Sequence, residues 1–498
     1  MCQKYEDIHI KCRHKIKKEK KMNKIEINQD FSKALDLLLN TNENVFITGK
    51  AGTGKTTFLK LATEELKKKN KKFVVLATTG VAALNAGGQT IHSFFHFGRD
   101  VSYSRIYKTD PSQIAKYQHL DTIIIDEASM LRADLLDCID KFLRINASAE
   151  EKKMIAFAGI QMVFIGDLYQ LPPVVKNDEA DQFTGELPQT EDEIINLITA
   201  KRRPKKYDSC YFLSSFCLRK SYLHIINFDK IYRQKDEQFI NILNDMRENN
   251  ISQTEIDILN KQTTMENIPS VIKLTTMNET ANNYNKQELQ KLNKATEQEF
   301  YAIIEGNRDK IKPNDYPTEQ TITLRVGARI MMLINDSDGK YINGTMGTVT
   351  RININRKSFF NSTITVKLDN GHIVNVERNE WAMYETVWSE QEQDYVKVKV
   401  ASFKQYPIRL AWAITIHKSQ GKTFDKILVD LGTKGAFASG QTYVAISRCT
   451  SIQGINLVIP IQLKDIIVDD KIKQLLDVQQ KINTVLEQDK NSFFEDAV

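Results

Sequence analysis

The chain has 498 residues, 41% of them hydrophobic and 27% charged, which is too long for one ordinary core and describes a globular protein of several domains. No apolar run approaches the roughly 20 residues of a membrane span, and six scattered cysteines (Cys2, Cys12, Cys138, Cys210, Cys217, Cys449) make no C-x-x-C pair, so neither a disulfide framework nor a zinc site is indicated. The net charge of +6 says little about the folded part, because residues 1–24 hold nine Lys/Arg against three acids and the remaining chain balances at 60 against 60.

Residues 1–24 read as a basic, disordered tail. The cluster from Lys15 to Lys21 suits a nuclear signal or a nucleic-acid arm, and a secretory apolar core is lacking. Met22 directly precedes the ordered pattern, so translation starting there is a competing reading. The scattered cysteines make a reducing compartment the default, and the expected location is cytoplasmic in a prokaryote and nuclear or mitochondrial in a eukaryote.

Phe31, Ala34, Leu35, Leu38 and Leu39 then recur at helical spacing, with Gln29 at the start as a candidate contact for an adenine edge. The run Val45-Phe46-Ile47-Thr48 is a buried strand that breaks into Gly49-Lys50-Ala51-Gly52-Thr53-Gly54-Lys55-Thr56-Thr57 and opens a helix at Phe58. Strand, glycine-rich turn and helix in that order make a phosphate-binding loop. The backbone N–H groups of Gly49, Ala51, Gly52, Thr53, Gly54, Lys55, Thr56 and Thr57 are predicted to cradle the phosphates of a nucleotide, which the family resemblance given below makes ATP. Lys55 would reach the β- and γ-phosphates, and the Thr56 hydroxyl would ligate Mg²⁺.

A second strand, Phe73 to Ala77, leads into Thr78-Thr79-Gly80 and on to Gln89-Thr90-Ile91-His92-Ser93-Phe94. Loops that follow parallel strands gather on the ligand edge, so Thr78, Thr79 and the Gly80 backbone are candidates for the phosphates of a second ligand, with His92 and Phe94 for its bases. A plain core position competes for both rings, most strongly for Phe94. Residues 95–119 mix Phe97, Tyr103 and Tyr107 with Arg99, Arg105 and Lys108, as an inserted strand-contacting subdomain or a surface excursion would. Thr122 to Ile125 is a buried strand ending in Asp126-Glu127. Alternation sends these carboxylates in different directions, Asp126 towards the metal and Glu127 to activate the attacking water. A further strand, Met162 to Ile165, delivers Gln170 beside Glu127, where an amide can sense the γ-phosphate because it both donates and accepts.

Together the runs Gly49 to Thr56, Gly80 to Phe94, Asp126 to Met130 and Gly159 to Val174 resemble the first motor domain of the PIF (petite integration frequency) helicases, superfamily 1 DNA helicases of the five-prime-to-three-prime class related to RecD. Three later runs fit the same family: Phe228 to Phe239, Pro407 to Thr423, and Gly440 to Arg448. The resemblance implies that Arg233 and Arg448 act as arginine fingers on the γ-phosphate. It also implies that the stretch containing His417, Lys418 and Thr423 touches the DNA backbone. Alternating strands and turns from about 300 to 401 look like the family's inserted SH3-like barrel, which helps clamp single-stranded DNA.

The expected fold is therefore α/β, two RecA-like P-loop NTPase domains with a small inserted SH3-like β-barrel. The first motor domain is placed at 25–210, the second at 211–299 and 402–465, the barrel at 300–401, and a C-terminal helix and tail at 466–498, packed on the second motor. Three departures stand out. The stretch from Val174 to Tyr211 is long and passes from acidic (Asp178 to Glu193) to basic (Lys201 to Lys206), Phe216 replaces a tryptophan, and Gln29 is out of register. The expected activity is ATP-driven translocation on single-stranded DNA, five-prime to three-prime, with unwinding of forked or structured DNA by a monomer. The resemblance admits an RNA–DNA hybrid as well. A DNA-stimulated translocase that does not unwind, or a DNA-binding scaffold with a degenerate motor, are the alternatives.

Overall fold

The computed structural model describes residues 28–98, 101–264, 271–307, 316–336, 338–341, 343–355, 362–392 and 394–495. The basic tail with Met22, and Arg99, lie outside them. After a first helix α1 (Gln29–Asn40), capped by the Asn28 side chain on Phe31 N, the chain builds a six-stranded sheet. Its strands are β1 (Asn44–Gly49), β2 (Phe73–Ala77), β3 (Gln89–Thr90), β4 (Thr122–Asp126), β5 (Gln161–Ile165) and β6 (Leu223–Phe228), in the order β3-β2-β4-β5-β1-β6. Every pairing is parallel. Helices cover both faces of such a sheet, which is why Ile123, Ile124 and Ile125 are all fully buried instead of alternating.

One face packs α1 and the helix after the phosphate loop, α2 (Lys55–Lys68), around the rings of Phe31, Phe58 and Phe228, whose centroids lie 4.6–5.4 Å apart. Because β6 adds to β1 along its whole length, from Asn44 opposite Leu223 to Gly49 opposite Phe228, the first sheet takes its last strand from beyond residue 210.

Next comes a helix, α3 (Glu237–Arg247), and the chain enters a second sheet as β7 (Ile272–Thr275) followed by α4 (Asn278–Gln290). It then leaves for ten strands: β8 (Gln298–Tyr301), β9 (Ile303–Gly306), β10 (Thr321–Leu324), β11 (Arg329–Met332), β12 (Met346–Asn353), β13 (Thr363–Leu368), β14 (Ile373–Val376), β15 (Asn379–Ser389), β16 (Asp394–Gln405) and β17 (Ile408–Leu410). It returns as β18 (Ala413–Thr415), β19 (Ile427–Asp430) and β20 (Ile455–Leu457), giving a parallel sheet ordered β18-β7-β19-β20. The excursion forms a five-stranded antiparallel sheet, β14-β13-β12-β11-β17, a three-stranded sheet, β15-β16-β9, and the pair β10-β8. Arg325 fastens the excursion to the second unit. Its guanidinium donates to the Leu289, Gln290 and Leu292 carbonyls at the end of α4 and to Glu297, a cation placed where the helix dipole is negative.

The last helix, α5 (Lys471–Glu495), docks on the first unit, contrary to the expectation that it packs on the second motor. Ile472, Leu475, Val478 and Ile482 join the core that holds Leu218 and Leu223. Asn483 also brackets the edge strand β6, accepting from Leu223 N and donating to Leu223 O. An exposed sheet edge is thus covered. Periodicity gave the apolar face of this helix but not its address. Among the described residues no helix is long and apolar enough to cross a membrane.

Truncating a buried side chain of this docked helix should weaken the first unit. Leu475→Ala is expected to cost about 2–5 kcal/mol, read as a lower urea midpoint of the transition reported by the first unit's core. An unchanged midpoint would mean that the helix is not integral to that core.

Candidate active site and nucleic-acid face

The parallel strands of the first sheet all end on one edge, and that edge carries the motif residues. β4 sets Asp126 opposite Ala77 and Ile165, so the phosphate loop, the Thr78 turn, the carboxylate pair and the segment leading to Gln170 are neighbours. Within the loop, Gly52 has φ 87°, and a Cβ there would lie 2.7 Å from Arg233 Cβ. Tyr232 N donates to Gly52 O at 2.9 Å. The loop is therefore stitched to the segment carrying Arg233, and only glycine allows that approach.

Gly54, also left-handed, begins α2 without any side-chain cap, which leaves the first N–H groups of the helix available to an anion. Lys55 Nζ donates to the Gly49 and Lys50 carbonyls. Burial pulls its pKa down to about 8, so a phosphate would restore the charge that burial disfavours. Thr53 is buried and its hydroxyl donates to Lys50 O at 2.9 Å, while Thr56 and Thr57 face outward at the helix start.

Glu127 leaves the strand with φ 51°, a left-handed conformation that a non-glycine residue rarely adopts. Burial, and then the neighbouring Glu127, raise Asp126 to about 7, and burial likewise raises Glu127. Desolvated carboxylates beside a phosphate loop are a donor set that a divalent cation relieves. The residues present therefore fit a divalent cation beside the phosphate loop.

The second unit closes over this edge. Gln234 donates from Nε2 to Ser447 O at 3.1 Å and to Cys449 O at 3.0 Å, and Arg233 Nη1 reaches Ser447 O at 3.1 Å. Arg448 is fully buried, with Nε on Val444 O and Nη2 on Ser447 Oγ. Burial, then Arg233, lower its pKa to about 9. Gly440, φ 73°, lies so close to the first unit that a Cβ would sit 2.5 Å from Gln170 O and 2.6 Å from Tyr169 O. Lys55, Glu127, Gln170, Arg233 and Arg448 thus converge on one cleft between the units.

The proposed DNA residues fare unevenly. Thr78, Thr79 and Gly80 follow β2 on the ligand edge, and the Thr79 hydroxyl accepts from Ala82 N at 3.2 Å to start the helix Gly80–Asn85. His417, Lys418 and Thr423 are exposed and His92 is half-buried. Phe94 does not belong with them. It is fully buried, edge-on to Phe95 and Tyr117, and no base can reach its ring. Several other aromatics of the 95–119 stretch are likewise in or against the core.

Arg203, from the basic run after Val174, is used internally. It donates to the Tyr207 hydroxyl at 2.7 Å and lies 4.6 Å from the Tyr103 ring. A relay that the sequence did not suggest joins the two exposed stretches: Asn343 donates to Asn85 Oδ1 at 3.3 Å and accepts from Lys422 Nζ at 2.6 Å. Tyr232 is exposed and lies next to Gly54, a placement the sequence did not suggest. An aromatic beside a motif arginine was its only signal.

The family model for PIF1-like helicases matches residues 25–257, and a model described as Helicase matches 345–476. The ATP-dependent DNA helicase Pif1 of Bdellovibrio bacteriovorus is 30% identical over 465 residues, covering 91% of this chain and 92% of that protein. The chain belongs to the PIF1-like helicase family. The human ATP-dependent DNA helicase PIF1 is 28% identical over 83% of this chain and 58% of its own length. Among solved structures, Pif1 from Bacteroides sp in complex with ADP-AlF4 is 33% identical with a TM-score of 0.76, covering 92% of this chain and 98% of that one. The Bacteroides Pif1 bound to ADP-AlF3 and ssDNA has a TM-score of 0.62 at 33% identity, over 92% and 98% of the two chains.

Gly52→Ala tests the loop geometry. With a left-handed φ and no space towards Arg233, it is expected to weaken Mg·ATP binding about tenfold or more, a loss of roughly 1.4 kcal/mol, in a fluorescent-nucleotide titration. An affinity within about twofold of the parent, a difference under half a kcal/mol, would mean that this contact is not kept when nucleotide binds.

Proposed function

We propose that this chain is an ATP-dependent DNA helicase of the PIF class that moves five-prime to three-prime along single-stranded DNA and opens forked or structured DNA. The observation that supports it best is the convergence of Lys55, Glu127 and Gln170 from one unit with Arg233 and Arg448 from the other across a single desolvated cleft.

In this reading the N–H groups of Gly49 to Thr57 and the Lys55 ammonium bind the phosphates. Mg²⁺, held by Thr56 and Asp126, would neutralise charge on the β- and γ-phosphoryl oxygens. Glu127 aligns the attacking water and takes its proton, Gln170 senses the γ-phosphate, and Arg233 and Arg448 stabilise the charge on the transferring phosphoryl. Tyr232 is a platform for the base. Closure and reopening of the cleft shift a strand held by Thr78, Thr79, Gly80 and His92 on one side and His417, Lys418 and Thr423 on the other. The ten-strand excursion, with an SH3-like portion in its five-stranded sheet, clamps that strand. The motor works as a monomer, and a hybrid of RNA and DNA is a further track.

Backbone and base-face contacts make such binding tolerant of sequence and sensitive to salt. Lys418→Ala should weaken binding to different single-stranded oligonucleotides alike and reduce the slope of log K against log salt by about 0.7. Loss confined to one sequence would contradict a backbone role.

The activity itself is tested by ATP hydrolysis with and without single-stranded DNA. A DNA-stimulated rate that falls about 10² to 10⁴-fold in Glu127→Gln is expected. Displacement of a labelled strand from duplexes with five-prime or three-prime tails then checks unwinding and polarity. DNA-stimulated hydrolysis with no displacement from either would leave a translocase, and no hydrolysis in folded protein would leave a scaffold.

A further inference from the structure

One buried ion pair in the same cleft has no part in the steps above. Asp167 follows β5 in the first unit and its side chain is fully buried, while Arg247 is the last residue of α3 in the second unit. Arg247 donates to one Asp167 oxygen from Nε at 3.3 Å and from Nη2 at 3.2 Å. Its guanidinium lies 4.1 Å from the centre of the Tyr169 ring, so an aromatic face and a carboxylate fix it together. The other Asp167 oxygen faces Gln170 Nε2 at 3.4 Å and the Tyr443 hydroxyl at 3.4 Å, and that hydroxyl accepts from Ala51 N at 3.0 Å. A single carboxylate thereby meets the γ-phosphate-sensing amide directly, the phosphate loop through Tyr443, and the second unit through Arg247.

We propose that the Arg247–Asp167 pair is the closure clamp of the nucleotide cleft, with Arg247 a positioning residue that holds the second unit where Arg233 and Arg448 face the phosphates. The proposal rests on the reading of this cleft as an ATP hydrolysis site. The pair joins the two units, so it is made when they meet and its charges regain water when they part. Removing the cation leaves a buried carboxylate unpaired in the closed cleft only. A nucleotide that needs just the phosphate loop then binds as before. One that needs the closed cleft binds worse, and the transition state belongs to the second kind.

The test uses the full chain with Arg247→Met, which keeps most of the apolar stem and removes the charge, and with Arg247→Lys. Affinities are measured for Mg·ADP and for Mg·ADP with aluminium fluoride, alongside DNA-stimulated hydrolysis. In Arg247→Met the aluminium fluoride complex and kcat are expected to weaken at least about tenfold, while ADP affinity and KM stay within about threefold. Arg247→Lys should recover part of the loss. Adding Asp167→Asn to Arg247→Met should make it no worse, because the unpaired charge goes too.

Equal affinities for both ligands relative to the parent, an equal loss of both, or additive losses in the double variant would overturn the proposal. Should Arg247→Met fail to fold, Asp167→Asn alone, which breaks the pair from its other side, is read for the same difference between the two ligands, and no difference overturns the proposal. Parent protein without DNA-stimulated hydrolysis defeats the functional reading. A parent that hydrolyses and is abolished by Glu127→Gln, with Arg247→Met unchanged, defeats the clamp alone.

Discussion

Charge stripped of water is the constraint on which the cleft depends. Lys55, Arg233, Arg247 and Arg448 lie in it with Asp126, Glu127 and Asp167. Burial lowers the pKa of Lys55, Arg233 and Arg448 and raises that of Asp126 and Glu127. Arg247 is the exception among the cations. Burial is the strongest single influence on it and acts downward, but Asp167, Tyr443 and Tyr169 together hold it above the usual range. Apart from the Arg247–Asp167 pair, each charge is therefore uncomfortable without a partner the protein does not itself supply. A triphosphate answers the surplus of cations, a divalent cation answers the carboxylate pair, and binding the two as one complex answers both.

Such a cleft can exist because parallel strands end on one edge. That edge gathers loops distant in sequence, and a second unit must then come within van der Waals contact of it. Glycine makes the approach possible twice, at Gly52 against Arg233 and at Gly440 against the Tyr169 and Gln170 carbonyls. Neither position tolerates a Cβ without pushing the units apart. The closeness of the arginines to the phosphate loop thus rests on two missing side chains as much as on the arginines themselves.

How legible this was from sequence follows from what each residue answers to. The phosphate loop, Asp126-Glu127 and Gln170 were readable because the chemistry fixes residue type and spacing along one strand–loop segment. Phe94 was not, since a ring after a ligand-edge loop looks alike whether it meets a base or the core; its neighbours Phe95 and Tyr117 decide that, and they are a tertiary fact. Arg247 shows the other limit. It is a lone cation at a helix end, and its value comes from Asp167, 80 residues away in sequence. The docking of α5 and the joining of β6 to the first sheet are of the same kind. An amphipathic period gives a face without saying which core receives it.

The inserted strands tie the nucleotide cleft to the candidate DNA face. β17 pairs with β11 and runs on through two residues into β18, where Ala411 N donates to Arg329 O and Lys273 N to Trp412 O. The five-stranded sheet is thereby continuous with the second parallel sheet. The long hairpin of β15 and β16 reaches the other way, to the first unit, and the Trp388 ring stacks on His119 at 3.6 Å and 4°. With the relay through Asn85, Asn343 and Lys422, the excursion is attached to both units, and the relay adjoins the exposed Thr423. A change in the angle between the units cannot be confined to the nucleotide side. It must stretch the relay or the ring stack, because the backbone joining the excursion to the second sheet is too short to absorb it.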